Sequence, residues 1–254
     1  MEFYKYQGTG NDFILIDNRD QHFPKNQPTI ERLCDRRFGI GGDGLILLEH
    51  DNASDFRMVY YNSDGNESTM CGNGGRCIVA FAHFLNVFDK KTSFNAIDGL
   101  HEAEIDENIV KLKMINVSEI NKDGNNFVLN TGSPHFVQYV SDLKNLDVFK
   151  EGYAVRNSDR YKKEGINVNF VEKTGNSDLF VRTYERGVED ETFSCGTGAT
   201  AAALSLMSEE NTNEVAIQVL GGKLKVYAEK EGDSFKNIWL EGPADQVFKG
   251  KISL

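Results

Sequence analysis

Apolar positions along most of this chain come in short runs. Examples are Phe13-Ile14-Leu15-Ile16, Leu45-Ile46-Leu47-Leu48, Val110-Lys111-Leu112-Lys113 and Leu224-Lys225-Val226-Tyr227, with others at 56–61, 168–172 and 179–184. Rich in β-branched and aromatic residues and broken by turn clusters, these runs predict strands. Two segments carry a helical pattern instead, 75–87 and 198–209, the second so rich in alanine that it predicts a closely packed, buried helix. A shorter helix is predicted over 29–37. The turn cluster at 121–126 marks the weakest stretch. It suggests a division into residues 1–118, completed by a C-terminal strand near 245–254, and residues 119–244.

Both main helices open in the same way. Cys71-Gly72-Asn73-Gly74 is repeated as Cys195-Gly196-Thr197-Gly198, and 195 − 71 gives an offset of 124. Thr9-Gly10-Asn11 pairs with Thr131-Gly132-Ser133 at an offset of 122, Gly39-Ile40 with Gly165-Ile166 at 126, and Tyr61 with Tyr184 at 123. Landmarks in one order at nearly one offset mark an internal duplication. The expected fold is therefore α+β, with two pseudo-symmetric halves that each place several strands around one buried helix. A pseudo-twofold arrangement would set equivalent features face to face.

A length of 254 residues suits one large domain or two small ones. With 28 basic against 39 acidic residues the net charge is −11, which argues against nucleic acid or an anionic membrane as the main partner. A small molecule or a protein remains. The 24 glycines cluster beside polar residues, a composition that lets backbone amides approach a ligand. No apolar run reaches the roughly 18 residues of a membrane helix, and Met1-Glu2-Phe3-Tyr4-Lys5-Tyr6 lacks the basic and apolar regions of a signal peptide, so a cytoplasmic protein is expected. Four cysteines are too few for a disulfide scaffold and lack paired Cys-x-x-Cys spacing, so no metal site is expected.

A cysteine placed just before a helix lies where unpaired amides and the helix dipole favour negative charge. Thiolate is stabilised there, and so is a carboxylate held by the same amides. Two such cysteines from opposing halves suit a thiolate and a thiol on opposite faces of one carbon, removing a proton from one side and returning one from the other. The carbon would be the α-carbon of an amino acid, and the helix amides would stabilise the charge that develops. Cys34 and Cys77 lack the motif and read as small buried hydrophobes. The Gly39-Ile40-Gly41-Gly42-Asp43-Gly44 run satisfies Gly-x-Gly-x-x-Gly, but a helical pattern precedes it and a strand follows, the reverse of a dinucleotide site.

The cysteine motifs, with Asn62-Ser63-Asp64-Gly65 before the first and Tyr184-Glu185-Arg186-Gly187 before the second, resemble those of the diaminopimelate epimerase family. Gly8-Thr9-Gly10-Asn11-Asp12-Phe13 and Arg36-Arg37-Phe38-Gly39-Ile40-Gly41 are similar to the same family, and the resemblance runs from Lys5 to about Gly250. It implies a cofactor-free two-base isomerase that interconverts LL- and meso-2,6-diaminopimelate in lysine and peptidoglycan precursor synthesis. It further implies two β-barrel-like half-domains, each wrapped around a central helix, with the active site in the cleft between them, and it leaves a homodimer open. Matched by motif, Cys71 and Cys195 would be the acid/base pair, while Gly72, Asn73, Gly196 and Thr197 would bind the reacting carboxylate. Asn11, Asn62, Asn167, Glu185 and Arg186 would hold the substrate, and His135 with Glu185 would tune the cysteines. Ser133 stands where the family commonly has Asn, and Gly44 where some members carry Gln, so neither is expected to be a side-chain ligand. The alternatives are a proline or hydroxyproline racemase of the same fold and a redox-responsive amino-acid-binding protein. The first binds a substrate with no distal amino-acid end for Asn62, Asn167, Glu185 and Arg186 to hold.

Overall fold

The computed structural model describes residues 1–254. The chain forms two units, Met1–Leu112 with Gly242–Leu254, and Lys113–Glu241. No helix is long and apolar enough to cross a membrane.

In the first unit, Asp245–Lys251 runs antiparallel to Glu2–Gly8, which runs antiparallel to Asn11–Asp17. The sheet continues through Gly44–Glu49 (parallel), Phe56–Asn62 (antiparallel), Lys91–Ala96 (parallel), Gly99–Asp106 and Ile109–Lys113 (both antiparallel). Helix α1 (Gln27–Cys34) lies between the second and third strands of the chain, and α2 (Gly72–Phe84) follows the fourth strand and the short Glu67–Ser68 pairing. Helix α2 is buried along eleven of its thirteen residues. It packs on the strands Glu2–Gly8, Asn11–Asp17, Gly44–Glu49, Gly99–Asp106 and Asp245–Lys251, so the sheet wraps around it. Ile14 and Ile16 face the opposite way, joining Ile30 and Leu33 of α1 in a second core. Cover on both faces explains why 13–16 is apolar throughout instead of alternating.

The second unit repeats this order and these directions. Asn126–Asn130 is antiparallel to Pro134–Tyr139, followed by Asn167–Lys173 (parallel), Asp178–Glu185 (antiparallel), Glu214–Val219 (parallel), Gly222–Glu231 and Ser234–Pro243 (both antiparallel). Helix α3 (Val148–Arg156) occupies the place of α1, and α4 (Gly196–Glu209) that of α2. The residues at 121–126 supply the strand Asn121–Asp123 and the turn of a hairpin with Asn126–Asn130, so they lie inside this unit and not at its boundary.

The helix ends differ from the sequence expectation for local reasons. Helix α1 begins at Gln27 because the Asn26 side chain accepts the amide of Thr29, and it stops at Cys34 because Asp35 accepts the amides of Arg37 and Phe38, turning the chain. Helices α2 and α4 begin at Gly72 and Gly196, taking in glycines that propensity alone would leave outside. Burial outweighs that cost of about 1 kcal/mol per glycine. Helix α3 escapes a sequence reading because it is short and centred on Gly152, where a Cβ would come within 2.4 Å of Tyr184 Cβ.

Candidate active site

Cys71 is the N-cap of α2, and its Sγ accepts the amide of Gly74 at 3.2 Å. A Cβ at Gly74 would lie 3.2 Å from that sulfur and 3.3 Å from Ile46 Cδ1, so the glycine lets the helix start close to the thiol. Gly72 and Asn73 are buried in the same turn. Asn73 Nδ2 donates to Asn11 Oδ1 at 3.2 Å, while Arg76 Nη2 donates to Asn73 Oδ1 at 3.0 Å. Arg76 is fully buried, and its other donors reach Gly72 O, Thr9 Oγ1 and Pro243 O, all neutral. Burial lowers its pKa to about 10, which leaves it a cation at neutral pH beside the Cys71 turn. Asn11 Nδ2 also donates to Asp43 Oδ2 at 2.6 Å. Asp43 and Asp12 share Arg36, and Lys5 pairs with Asp12 at 2.6 Å. Burial raises the Asp12 pKa, but hydrogen bonds and charge from Arg36 and Lys5 outweigh it and hold the carboxyl at about 2. Asn62 stands apart, exposed at the end of its strand, with its backbone engaged in a turn with Gly65 and Asn66. The Gly39–Gly44 run turns from α1 into a strand, as its order implies. At Gly44 a Cβ would come within 2.6 Å of both Tyr60 Cε2 and Tyr61 O, so a side chain there is excluded by the Tyr60 ring and the Tyr61 backbone.

Cys195 is the N-cap of α4, but its side chain makes no cap hydrogen bond. Its Sγ lies 3.5 Å from Thr197 Oγ1. The Thr197 hydroxyl in turn lies 2.9 Å from Nε2 of His135, a fully buried ring on the strand Pro134–Tyr139. His135 thus reaches Cys195 through Thr197. Behind it, Asn169 Nδ2 sits 3.1 Å from His135 Nδ1 and donates to Phe136 O at 3.0 Å, while Asn169 Oδ1 accepts from Thr183 Oγ1 at 3.0 Å. A Cβ at Gly198 would lie 2.3 Å from Asn169 Oδ1. Burial, assisted by the charge of Arg186, pulls the His135 pKa down to about 3 against the raising effect of Asn169, so the ring is neutral.

Asn167 opens the strand next to His135 and holds Arg186: its Oδ1 accepts the Arg186 amide at 2.9 Å. Ser133 joins the same group. Its Oγ accepts from Asn167 Nδ2 at 2.9 Å and from Arg186 Nη2 at 3.3 Å, so the shorter side chain orients the arginine. Arg186 also donates to Glu164 O, and Glu185 accepts the Thr192 hydroxyl at 2.5 Å. Asn169 and Thr183 carry no motif. The signal available was the alternation Asn167-x-Asn169 in a strand, which puts both side chains on one face.

Cys34 and Cys77 are buried thiols away from the helix starts. Burial pushes Cys34 up to about 12 and raises Cys77 further, which keeps both protonated and unreactive.

A family model described as diaminopimelate epimerase matches residues 3–118 and 127–247. A diaminopimelate epimerase of Flavobacterium psychrophilum is 59% identical over 99% of this chain and 100% of its own length. That of Chlorobaculum tepidum is 44% identical over 97% and 99%. Among solved structures, a hydroxyproline epimerase of Agrobacterium vitis with bound trans-4-hydroxy-L-proline aligns with a TM-score of 0.71 at 14% identity, covering 98% of this chain and 91% of that one. A phenazine biosynthesis protein of Bacillus anthracis aligns at 0.73 and 14%, covering 100% and 99%, and both show the fold alone.

Proposed function

The chain belongs to the diaminopimelate epimerase family and is an isomerase acting on diaminopimelate, and on that premise we propose that Cys71 and Cys195 are its two acid/base groups. Inversion at an α-carbon needs a base on one face and an acid on the other. One sulfur, as thiolate, takes the α-proton: the C–H bond breaks, an S–H bond forms, and the electron pair stays on carbon, delocalised into the carboxylate. The other sulfur, as thiol, gives its proton to the opposite face and becomes the thiolate. The reverse reaction exchanges the labels.

The amides of Gly72, Asn73, Gly196 and Thr197 supply donors to the reacting carboxylate, where its charge grows. Asn11 orients Asn73, and Asn62, Asn167, Glu185 and Arg186 bind the rest of the substrate. Arg186 carries five N–H donors, and those beyond Glu164 O and Ser133 are suited to the distal carboxylate. A reducing cytoplasmic setting keeps both sulfurs available.

The observation that carries the reading is that both cysteines are N-caps of the buried central helices of two repeated units. In deuterated water, reduced protein should convert LL-diaminopimelate to meso product bearing α-deuterium, and Cys71→Ala or Cys195→Ala should lower epimerisation by at least about a thousandfold. Wild-type turnover by either variant sinks the proposal.

A further inference from the structure

We infer that Asn169 is a positioning residue that fixes which nitrogen of His135 carries the proton and, through Thr197, aims a hydrogen-bond donor at the Cys195 sulfur. The inference rests on the acid/base role proposed for Cys195 and adds to it how the sulfur's protonation is biased.

Phe136 O can only accept, so the Asn169 atom 3.0 Å from it is the NH₂ group. Thr183 Oγ1, at 3.0 Å from the other end, completes the assignment by donating to Oδ1. The NH₂ group is also the atom that faces His135 Nδ1 at 3.1 Å, so Nδ1 must be the bare, accepting nitrogen. In a neutral imidazole the proton then resides on Nε2, which donates to Thr197 Oγ1 at 2.9 Å. The single hydroxyl proton of Thr197 is therefore free to point at Cys195 Sγ, 3.5 Å away. With the opposite tautomer, Nε2 would claim that proton and a thiolate at Cys195 would lose the donor.

The duplication provides an internal control. His135 pairs across its parallel strands with Asn167, as Phe13 pairs with Gly44. Two residues further on, Asn169 lies opposite Thr183, as Ile46 lies opposite Tyr60. The first unit thus fills the three equivalent places with Phe13, Ile46 and Tyr60, and its cysteine sulfur takes a backbone amide instead. The fold can be built without His135, Asn169 and Thr183 at these places, so this particular chain belongs to the Cys195 side. Gly198 protects it, because any side chain there would strike Asn169 Oδ1.

The test reads the tautomer directly. Protein labelled with ¹⁵N-histidine, with the His135 signals assigned by loss in His135→Gln, should show Nε2 protonated and Nδ1 bare in long-range ¹H–¹⁵N spectra without substrate. Asn169→Asp, which puts a carboxylate oxygen against Nδ1, should move the proton to Nδ1. In a Cys71→Ser background it should also slow alkylation of Cys195 by iodoacetamide at pH 7 about tenfold, the scale of one hydrogen bond to a charged group. Thr183→Val, which frees only the Oδ1 end, should shift both readings in the same direction by less, and it carries the test if the aspartate variant does not fold. A wild-type ring protonated on Nδ1, a tautomer that neither variant moves, or a moved tautomer with unchanged alkylation overturns the inference. Turnover retained by Cys195→Ala while both readings still shift would instead remove the acid/base role and leave the positioning role standing.

Discussion

His135 has the most to lose to acid. Its folded pKa lies near 3, below the 6.5 of a free imidazole, so between those values the unfolded chain holds a proton that the folded chain refuses. Stability present above 6.5 is therefore lost as pH falls toward 3, at up to about 1.4 kcal/mol per unit. Between pH 6.5 and pH 5 the loss from this group is about 2 kcal/mol. In urea unfolding, His135→Gln should narrow the difference in stability between pH 7 and pH 5 by about that amount; an unchanged difference would show that the ring takes up its proton as readily in the folded protein as in the unfolded chain. Gly44 makes a steric prediction. Gly44→Gln should destabilise by about 1–3 kcal/mol, since Tyr60 and the Tyr61 carbonyl already occupy the space of its Cβ. A gain in substrate affinity with stability intact would contradict that geometry.

The two central helices are built differently although their first turns share a sequence. Helix α2 carries the buried Arg76 and cages its thiol with an amide, while α4 is lined with Ala199, Ala201, Ala202 and Ala203, all fully buried. Small side chains allow strands to close on α4, so Ala202→Leu should cost about 1–3 kcal/mol in chemical denaturation through overpacking. Asn26→Ala should cost about 1 kcal/mol by removing the α1 cap, and hydrogen exchange should speed up at the Thr29 amide. The cap and the buried alanines are readable in sequence as residue types. Their energetic weight depends on the neighbours brought by the sheet.

At the scale of the whole chain, the first unit is closed by residues from both ends. Glu2–Gly8 pairs along its length with Asp245–Lys251, and Ala244 is buried beside them. Deleting residues 245–254 should therefore lower the unfolding temperature of the first unit and leave an open strand edge prone to association. Hydrogen exchange should show protection lost first at Glu2–Gly8, with the second unit retained; uniform loss would mean that the two units unfold as one.

The duplication, the strand runs, both central helices and the cysteines at their starts were legible in the sequence, because they depend on local periodicity and on a motif repeated in order. Helix α3 was not legible, since a short segment with Gly152 at its centre is held by Tyr184 from a distant strand. The proposed site divides in the same way. Cys71, Cys195 and their glycines follow from helix-end electrostatics, which act over one turn. Asn169, Thr183, the bridging role of Ser133 and the empty place at Gly44 depend on which strands lie side by side and in what register. Register is a long-range property, so only the tertiary structure sets Asn169, two residues past Asn167, against His135 and Thr183.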